Sequence, residues 1–234
     1  MSNILIDYMK KRLAGELDSS AKSRTKVGPV VTISREYGCQ AKHLAAMLSA
    51  ELNVRELENQ SNNKWKWIGK EILEESAKEL NIKPTMVREI ANNEQKGVVS
   101  DIVLSLSHKY YPGDISIKKK IGEIIHGFAE SGHVIIVGRG GVAITKDMPN
   151  SLHIKLQAPL EWRINDVSKK QMITLSEAKK KIHHVEEQRD ALNQFFTKGK
   201  FDNSAFDAIF NLTTLTEDEI IATIIKMMEL KDMI

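Results

Sequence analysis

The sequence predicts an open α/β fold in which a parallel β-sheet is flanked by helices. Short runs of β-branched and other apolar residues alternate with longer segments whose apolar residues recur at helical spacing. The short runs lack polar alternation, which is typical of strands buried on both faces. Strands joined through a helix pair in parallel, because the connection is long and places the helix on a face of the sheet.

The strands and helices follow one another along the chain in this alternating order. Four segments are predicted to be strands, at 29–34, 133–137, 152–156 and 208–212. Helices are predicted over 41–52, 114–129, 159–172 and 175–196, and from Thr216 towards the C-terminus. Thr216 and Glu219 have the spacing of a capping box, which marks the start of the last helix.

The middle of the chain, about 65–130, is mainly helical in its spacing and predicts a helical insertion in the sheet. The polar and aromatic segment 59–67, Asn-Gln-Ser-Asn-Asn-Lys-Trp-Lys-Trp, is open to two interpretations, a surface loop or an edge strand. Trp65 and Trp67 in this segment are expected to pack in the core or against the insertion rather than to stack on a base.

Residues 1–28 are predicted to form an N-terminal amphipathic helix and a linker, outside a domain that covers 29–234. The apolar stripe of this helix is made of Ile4, Leu5, Tyr8 and Met9. Such a stripe suits pairing with a partner or with a second copy of the chain. A protein-interaction module, with a homo-oligomer as one form of it, is therefore one functional hypothesis.

Composition excludes several classes of protein. The formal net charge of +3 is too small for a dedicated nucleic-acid-binding protein. No apolar run is long enough to span a membrane, and the first residues do not have the charge order of a secretory signal. The single cysteine excludes an intrachain disulfide framework and a multi-cysteine metal site. We expect a cytoplasmic protein without nucleic-acid or membrane partners.

The loop after the first predicted strand has the features of a phosphate-binding loop. It reads Ser-Arg-Glu-Tyr-Gly-Cys-Gln-Ala-Lys-His over 34–43 and leads directly into a helix, with Lys42 at its start. Free backbone N–H groups and the positive end of the helix dipole stabilise a phosphate at such a place, and a lysine adds a mobile charge. The alternative is an ordinary strand-to-helix turn whose charges are solvated.

This loop does not match the pattern G-x-x-x-x-G-K-[ST] letter by letter. Ala41 stands where the glycine before the lysine is expected, and His43 stands where a Ser or Thr would bind Mg²⁺. Cys39 is either a small turn residue or a reactive thiol near a helix N-terminus.

Four blocks of the chain resemble, in the same order, blocks of the cytidylate kinase-like family. They are 31–38 (Val-Thr-Ile-Ser-Arg-Glu-Tyr-Gly), 134–141 (Val-Ile-Ile-Val-Gly-Arg-Gly-Gly), 152–163 and 186–189 (Glu-Glu-Gln-Arg). The resemblance implies a P-loop NTPase-type fold over 29–234 with a lid region at about 160–200. It also implies ATP-dependent phosphoryl transfer to a nucleoside monophosphate, CMP or dCMP first, with ATP as the donor and Mg²⁺ as the metal.

The resemblance assigns roles to individual residues. Lys42 matches the basic residue of the phosphate loop, Arg139 an arginine that binds the acceptor phosphate, and Arg163 a lid residue, and these three are the predicted catalytic residues. The other positions expected to bind nucleotide or phosphate are Ser34, Arg35, Gly38, Cys39, Gln40, Ala41, His43, Gly138, Gly140, Glu186 and Arg189.

Departures from the family pattern leave alternatives open. Members more often have a glycine-rich turn where this chain has Cys-Gln-Ala, and the position of Gly140 is acidic in better-known cytidylate kinases. The metal ligands are therefore unknown, with Ser34 and Glu36 as possible helpers. A non-catalytic nucleotide-binding or sensing relative is the second functional hypothesis. Simpler interpretations also stand, namely that Lys42 and Arg163 are solvated charges and that 186 and 189 form an exposed ion pair.

Overall fold

The computed structural model describes residues 28–61, 63–69, 71–79, 81 and 114–234. The predicted N-terminal arm and part of the predicted insertion lie outside these residues, so both stay predictions. Within the described residues, no helix is long and apolar enough to cross a membrane.

A parallel sheet of five strands forms the centre of the described part of the chain. The strands are β1 (Val30–Arg35), β2 (Lys66–Ile68), β3 (Val134–Val137), β4 (Ser151–Gln157) and β5 (Ala208–Asn211). Their order is β2-β3-β1-β4-β5, and each neighbouring pair is parallel. This confirms the predicted fold class and all four predicted strands.

Helices cover both faces of the sheet. They are α1 (Ala41–Glu58), α2 (Glu71–Glu79), α3 (Asp114–Ser131), α4 (Gly141–Thr145), α5 (Leu160–Gln171), α6 (Leu175–Thr197) and α7 (Glu217–Leu230). The capping box of Thr216 and Glu219 at the start of α7 is confirmed. A second capping box, formed by Thr174 and Glu177, begins α6.

Residues 66–68, at the start of the segment predicted as a helical insertion, form β2, which is the edge strand of the sheet. Three residues are too few for a sequence period to appear. The strand is held in place through Trp65, which is 1% exposed. Its N–H donates to Asn53 Oδ1 at 2.8 Å, and its carbonyl accepts from Ser49 Oγ at 3.0 Å. The edge-strand interpretation of 59–67 and the core packing of Trp65 are thereby confirmed.

The sheet has an apolar layer on each face. On one face α1 and α7 pack against β1 and β4, and on the other α3 packs against β3. A smaller apolar cluster joins α5 to α6 and consists of Ile164, Val167, Ala178 and Ile182. Register pairs Ile33 with Val137 and Arg35 with Leu156, so the carboxyl ends of β1, β3 and β4 lie side by side. Ligands bind at this edge in open α/β sheets.

Candidate functional site

Two adjoining cavities lie at the carboxyl edge of the sheet. The large cavity, about 690 Å³, is bounded by the ends of β1 and β3 and by α6. The loop cavity, about 430 Å³, lies at the start of α1 and is closed on one side by α5. Arg35, Tyr37 and Arg189 line both cavities. A molecule in one cavity would therefore share these three side chains with a molecule in the other.

The loop cavity has the backbone of an anion site. Gly38 adopts φ +101°, and a Cβ there would lie 3.1 Å from Arg163 Cβ, so this turn requires glycine. Gln40 precedes α1 in an extended conformation, its side chain does not cap the helix, and the first turn of α1 has no acidic residue. The positive end of this helix is thus not neutralised by a carboxylate of its own first turn.

Lys42 and His43 are exposed residues in the first turn of α1 and line the loop cavity, as do Cys39, Gln40 and Ala41. His43 Nδ1 lies 2.7 Å from Glu217 Oε2 in the first turn of α7. The side chain that replaces the expected Ser or Thr is therefore already paired with a carboxylate.

Cys39 is a buried turn residue, 7% exposed. Burial raises the pKa of its thiol to about 11, and the neighbouring Glu36 carboxylate acts in the same direction. A neutral thiol is a poor nucleophile. The structure favours the interpretation of Cys39 as a small turn residue over that of a reactive thiol.

Three arginines from distant parts of the sequence line the large cavity: Arg35 at the end of β1, Arg139 after β3, and Arg189 in α6. Arg189 Nη1 donates to the carbonyl of Arg35 at 2.8 Å, and its guanidinium carbon lies 5.6 Å from the centre of the Tyr37 ring. Burial, Arg189 and Arg139 together lower the pKa of Arg35 to about 9. Burial also lowers the pKa of Arg189, although the Glu186 carboxylate opposes this. Positive charges gathered in this way favour binding of an anion.

Gly138 makes room for this cluster. It adopts φ +70°, and a Cβ at this position would collide with Nη1 of Arg35. Its N–H donates to the carbonyl of Ile33 at 3.1 Å, which fixes the turn beside the end of β1. The predicted glycine turn after β3 and the predicted phosphate loop after β1 therefore meet at Arg35.

Arg163 lies outside both cavity linings and is 6% exposed. Its Nε donates to the carbonyl of Ala158 at 2.9 Å and lies 3.3 Å from Glu36 Oε2. Its Nη1 donates to the carbonyl of Tyr37 at 3.1 Å and to Glu186 Oε1 at 2.5 Å. These bonds tie α5 to the loop after β1 and to α6. The predicted role of Arg163 as a catalytic lid residue stays a prediction.

Glu186 lines the large cavity but is bound to protein groups at Oε1. That atom accepts from the N–H of Tyr37 at 3.1 Å and from Arg163. Within the described residues, its ion pair is with Arg163 rather than with Arg189. The simple exposed ion pair between positions 186 and 189 is therefore not formed, and Glu186 instead fixes the backbone of the loop.

The far wall of the large cavity was missed by sequence reasoning. Lys155 Nζ donates to Asn203 Oδ1 at 2.8 Å and lies 5.7 Å from the centre of the Phe206 ring. Phe206 in turn meets Phe201 edge-on, with ring centres 5.8 Å apart. The sequence does contain one indication of this wall, because Lys155 is a charged residue inside an apolar strand. The other missed lining residues are Lys181, His184, Val185, Gln188, Asp190, Leu192, Asn193 and Asp202.

The structure explains one departure from the family pattern. Gly140 has φ +76°, and a Cβ there would lie 2.6 Å from Cδ2 of Phe196 in α6. An acidic side chain does not fit at this position while the ring is in place. A side chain at position 140 would therefore require the Phe196 ring to shift.

The residues present fit ATP phosphates better than they fit a protein-bound Mg²⁺. The uncapped start of α1 and Lys42 suit phosphate. Within the described residues no group of three or more His, Cys, Asp or Glu could hold a metal ion. Glu36 is paired with Arg163 and accepts from the N–H of Ala158 at 3.2 Å. We therefore assign no protein ligand to Mg²⁺.

Comparison with protein families agrees with this geometry. Residues 30–214 match the family described as "Cytidylate kinase-like family". The chain belongs to the cytidylate kinase-like family. The match covers the loop after β1, the arginines of the large cavity and the wall formed by 201–206. The resemblance inferred from the four sequence blocks is confirmed, and with it the kinase-like class of the protein.

The chain is also similar to several solved structures. An uncharacterized protein from Eubacterium ventriosum has a TM-score of 0.59 at 19% identity, over 86% of this chain and 98% of that chain. Shikimate kinase from Bacteroides thetaiotaomicron has a TM-score of 0.46 at 14% identity, over 87% and 98% of the two chains. Dephospho-CoA kinase from Campylobacter jejuni has a TM-score of 0.38 at 15% identity, over 86% and 98%. Comparison with curated proteins gave no match.

Proposed function

We propose that this protein transfers the terminal phosphoryl group of ATP to a nucleoside monophosphate, with CMP or dCMP as the preferred acceptor. One observation carries the proposal. Two adjoining cavities at the carboxyl edge of the sheet share Arg35 and Arg189, and a third arginine, Arg139, lines the large one. Phosphoryl transfer from one nucleotide to another needs both nucleotides to be bound, with their phosphates meeting between positive charges.

The two cavities suit different partners of the reaction. The loop cavity has the uncapped helix start and Lys42, which favour the phosphates of the donor. The large cavity has the volume of a small-molecule site and presents Arg139 and Arg189, whose guanidinium groups suit the oxygens of an acceptor phosphate. We infer that ATP binds at the loop and the monophosphate in the large cavity.

The residues act in the reaction mainly by positioning and by neutralising charge. Arg139 and Arg189 hold the acceptor phosphate, and Lys42 holds the donor. Arg163 and Glu186 are positioning residues, because they fix the backbone of Tyr37 and thereby the stacking of Arg189 on its ring. Mg²⁺ would enter with the phosphates of ATP, since no group of described residues is assigned to hold it.

A coupled assay of ADP release with ATP, Mg²⁺ and each of CMP, dCMP, UMP, AMP and GMP tests this proposal. We expect turnover with CMP or dCMP above the others, and a KM for ATP at least about tenfold higher in Lys42→Ala. Lys64→Ala, at an exposed residue outside both cavities, is the matched control. Turnover at the blank level with every acceptor would refute the proposal.

A nucleotide-binding protein without turnover is the second candidate. It is favoured by the pairing of His43 with Glu217 at the position of the expected hydroxyl, and by Cys39, Gln40 and Ala41 in place of glycines. It predicts thermal stabilisation by ATP or CMP without product, since a ligand that binds only the native state raises stability by RT ln(1 + [L]/Kd). No shift with any nucleotide at millimolar concentration would exclude it.

A further inference from the structure

We propose that Arg35 is the catalytic residue that contacts the phosphoryl group throughout its passage from the loop cavity to the large cavity. This inference rests on the proposed function and deepens it. It assigns the charge that acts on the moving group to the last residue of β1, whereas the phosphate-loop pattern assigns it to Lys42.

The place of Arg35 in the fold is the first argument. Arg35 ends the central strand and lines both cavities, whereas Lys42 lines only the loop cavity and Arg139 only the large one. Arg189 also lines both cavities, but its Nη1 is bound to the carbonyl of Arg35. A group that moves between the cavities therefore passes Arg35.

The missing partner of Arg35 is the second argument. Within the described residues, its guanidinium forms no hydrogen bond or ion pair, while Arg163 is engaged by two carboxylates and two carbonyls. The charges that lower the pKa of Arg35 are those of Arg189 and Arg139, both positive. Desolvation and repulsion disfavour this cation in the ligand-free protein, as its lowered pKa shows. A phosphate placed there would offset both effects, because it supplies negative charge and hydrogen-bond acceptors.

The close approach of the Arg35 guanidinium to Gly138 is the third argument. The guanidinium of Arg35 occupies the space in which any other residue at 138 would have its Cβ. Gly138 thus leaves the space in which Nη1 lies against the turn after β3, so the guanidinium already stands at this place before charge develops nearby. Preorganised donors of this kind stabilise a transition state more than mobile ones do. Lys42, by contrast, is an exposed side chain on a flexible stem.

The step itself balances without a further reactant. The bond between the terminal phosphorus of ATP and its bridging oxygen breaks, and the electron pair leaves with ADP. A bond forms between that phosphorus and an oxygen of the acceptor phosphate. No proton is released when the acceptor enters as a dianion, because the total charge of the nucleotides is unchanged. Arg35 needs only to stay protonated and to donate hydrogen bonds to the moving oxygens.

Kinetics of Arg35→Met and Arg35→Lys, beside Lys42→Ala, test the assignment. Both Arg35 variants are expected to lower kcat by about 100-fold or more, since the contact is strongest in the transition state. Lys42→Ala is expected to act mainly on the KM for ATP. Arg55→Met, which removes an exposed guanidinium on α1, is the control and should match wild type. An unchanged kcat in Arg35→Met, with active wild-type enzyme, would overturn the inference and leave the proposed function standing.

A double-mutant cycle tests the contact with Gly138. Gly138→Ala introduces backbone strain in any background, but the collision with Nη1 exists only when residue 35 is arginine. We therefore expect the fold-loss of kcat caused by Gly138→Ala to be at least about fivefold smaller in Arg35→Lys than in wild type. Equal fold-losses in the two backgrounds would show that Gly138 does not position Arg35.

Binding of inorganic pyrophosphate separates this inference from the proposed function. Calorimetry on the wild-type protein and on Arg35→Met is expected to show an affinity loss of at least about tenfold, while the thermal midpoint of the ligand-free variant stays within a few degrees of wild type. If wild type has no turnover but Arg35→Met still has a lower affinity for pyrophosphate than wild type, the proposed function fails and the phosphate contact of Arg35 stands. Equal pyrophosphate affinity of the two proteins would overturn the contact whatever the turnover.

Discussion

Arg189 donates a hydrogen bond of 2.8 Å to the backbone carbonyl of Arg35. This bond joins α6 to the end of the central strand and places two guanidinium groups on the wall that the two cavities share. Tyr37 lies under Arg189 and belongs to the loop that follows Arg35. The position of α6 and the shape of the phosphate loop are therefore set together.

Arg189→Lys is expected to weaken acceptor binding. A lysine has a single ammonium group, which cannot bond the Arg35 carbonyl, stack on Tyr37 and hold a phosphate through two parallel hydrogen bonds. We expect the KM for the acceptor to rise about tenfold or more, with a smaller change in the KM for ATP. Steady-state kinetics with each substrate varied in turn measures this, with Arg55→Lys as the control. Equal changes in both KM values would contradict the assignment of Arg189 to the acceptor.

Arg163→Met is expected to destabilise the fold. The substitution keeps much of the apolar stem but leaves Glu36 and Glu186 without their common cation and the carbonyl of Tyr37 without its donor. Removing one partner of such a buried network reduces the free energy of unfolding by about 3 kcal/mol. Urea unfolding measures this change in the free energy of unfolding. Arg55→Met, which breaks exposed ion pairs, should cost only about 0.5 kcal/mol. Similar losses in the two variants would show that the network is not structural.

Cys39 is expected to resist alkylation in the native protein. Burial raises the pKa of the thiol to about 11, so at about pH 8 little thiolate is present and little of it is accessible. Iodoacetamide should react on the order of 100-fold more slowly with native than with urea-unfolded protein. Mass spectrometry gives the rate without ambiguity, because the chain has a single cysteine. Comparable rates would mean that the turn opens readily.

His153 is expected to make stability depend on pH. Its ring lies 2.8 Å from Thr32 Oγ1 and 3.1 Å from Ser151 Oγ and is 6% exposed. Burial lowers its pKa, an effect that Lys231 reinforces and Asp207 opposes. The unfolded chain therefore binds the proton more readily, and stability contributed by the neutral ring is present above the ordinary histidine pKa and is lost as the pH falls through it.

Thermal or urea unfolding from about pH 7.5 down to pH 5.5 tests this dependence. One proton accounts for at most about 1.4 kcal/mol per pH unit. His153→Gln should have a shallower pH profile than wild type, although its stability at neutral pH is lower. Parallel profiles of the two proteins would show that His153 does not titrate between the folded and unfolded states.

Sequence reasoning predicted four of the five described strands, because each is a short, largely apolar run without polar alternation. It left β2 open between a loop and an edge strand, since Lys66–Ile68 is too short to show a period and Trp65 is held by Asn53 and Ser49 of α1. Long-range contacts, which a local pattern does not contain, place this edge strand.

Part of the candidate site could likewise be predicted from local motifs, and part depends on long-range contacts. The loop 34–43 and the turn around Arg139 are local motifs, and residues of both line the cavities. The far wall with Lys155 and Phe206 was missed, because it forms only when the segment after α6 meets β4. The buried position of Arg163 likewise depends on Glu36 and Glu186, which come from other segments.

The amino-acid sequence by itself determined the alternation of strands and helices, the family of the chain and the residue types of the phosphate loop, because these follow from hydrophobic period and from local motifs. Only the tertiary structure decided which cations meet. Arg35, Arg139 and Arg189 come from three separate segments, and Gly138 provides the space for one of them. Electrostatic interaction depends on distance between charges in space, and that distance is set by packing.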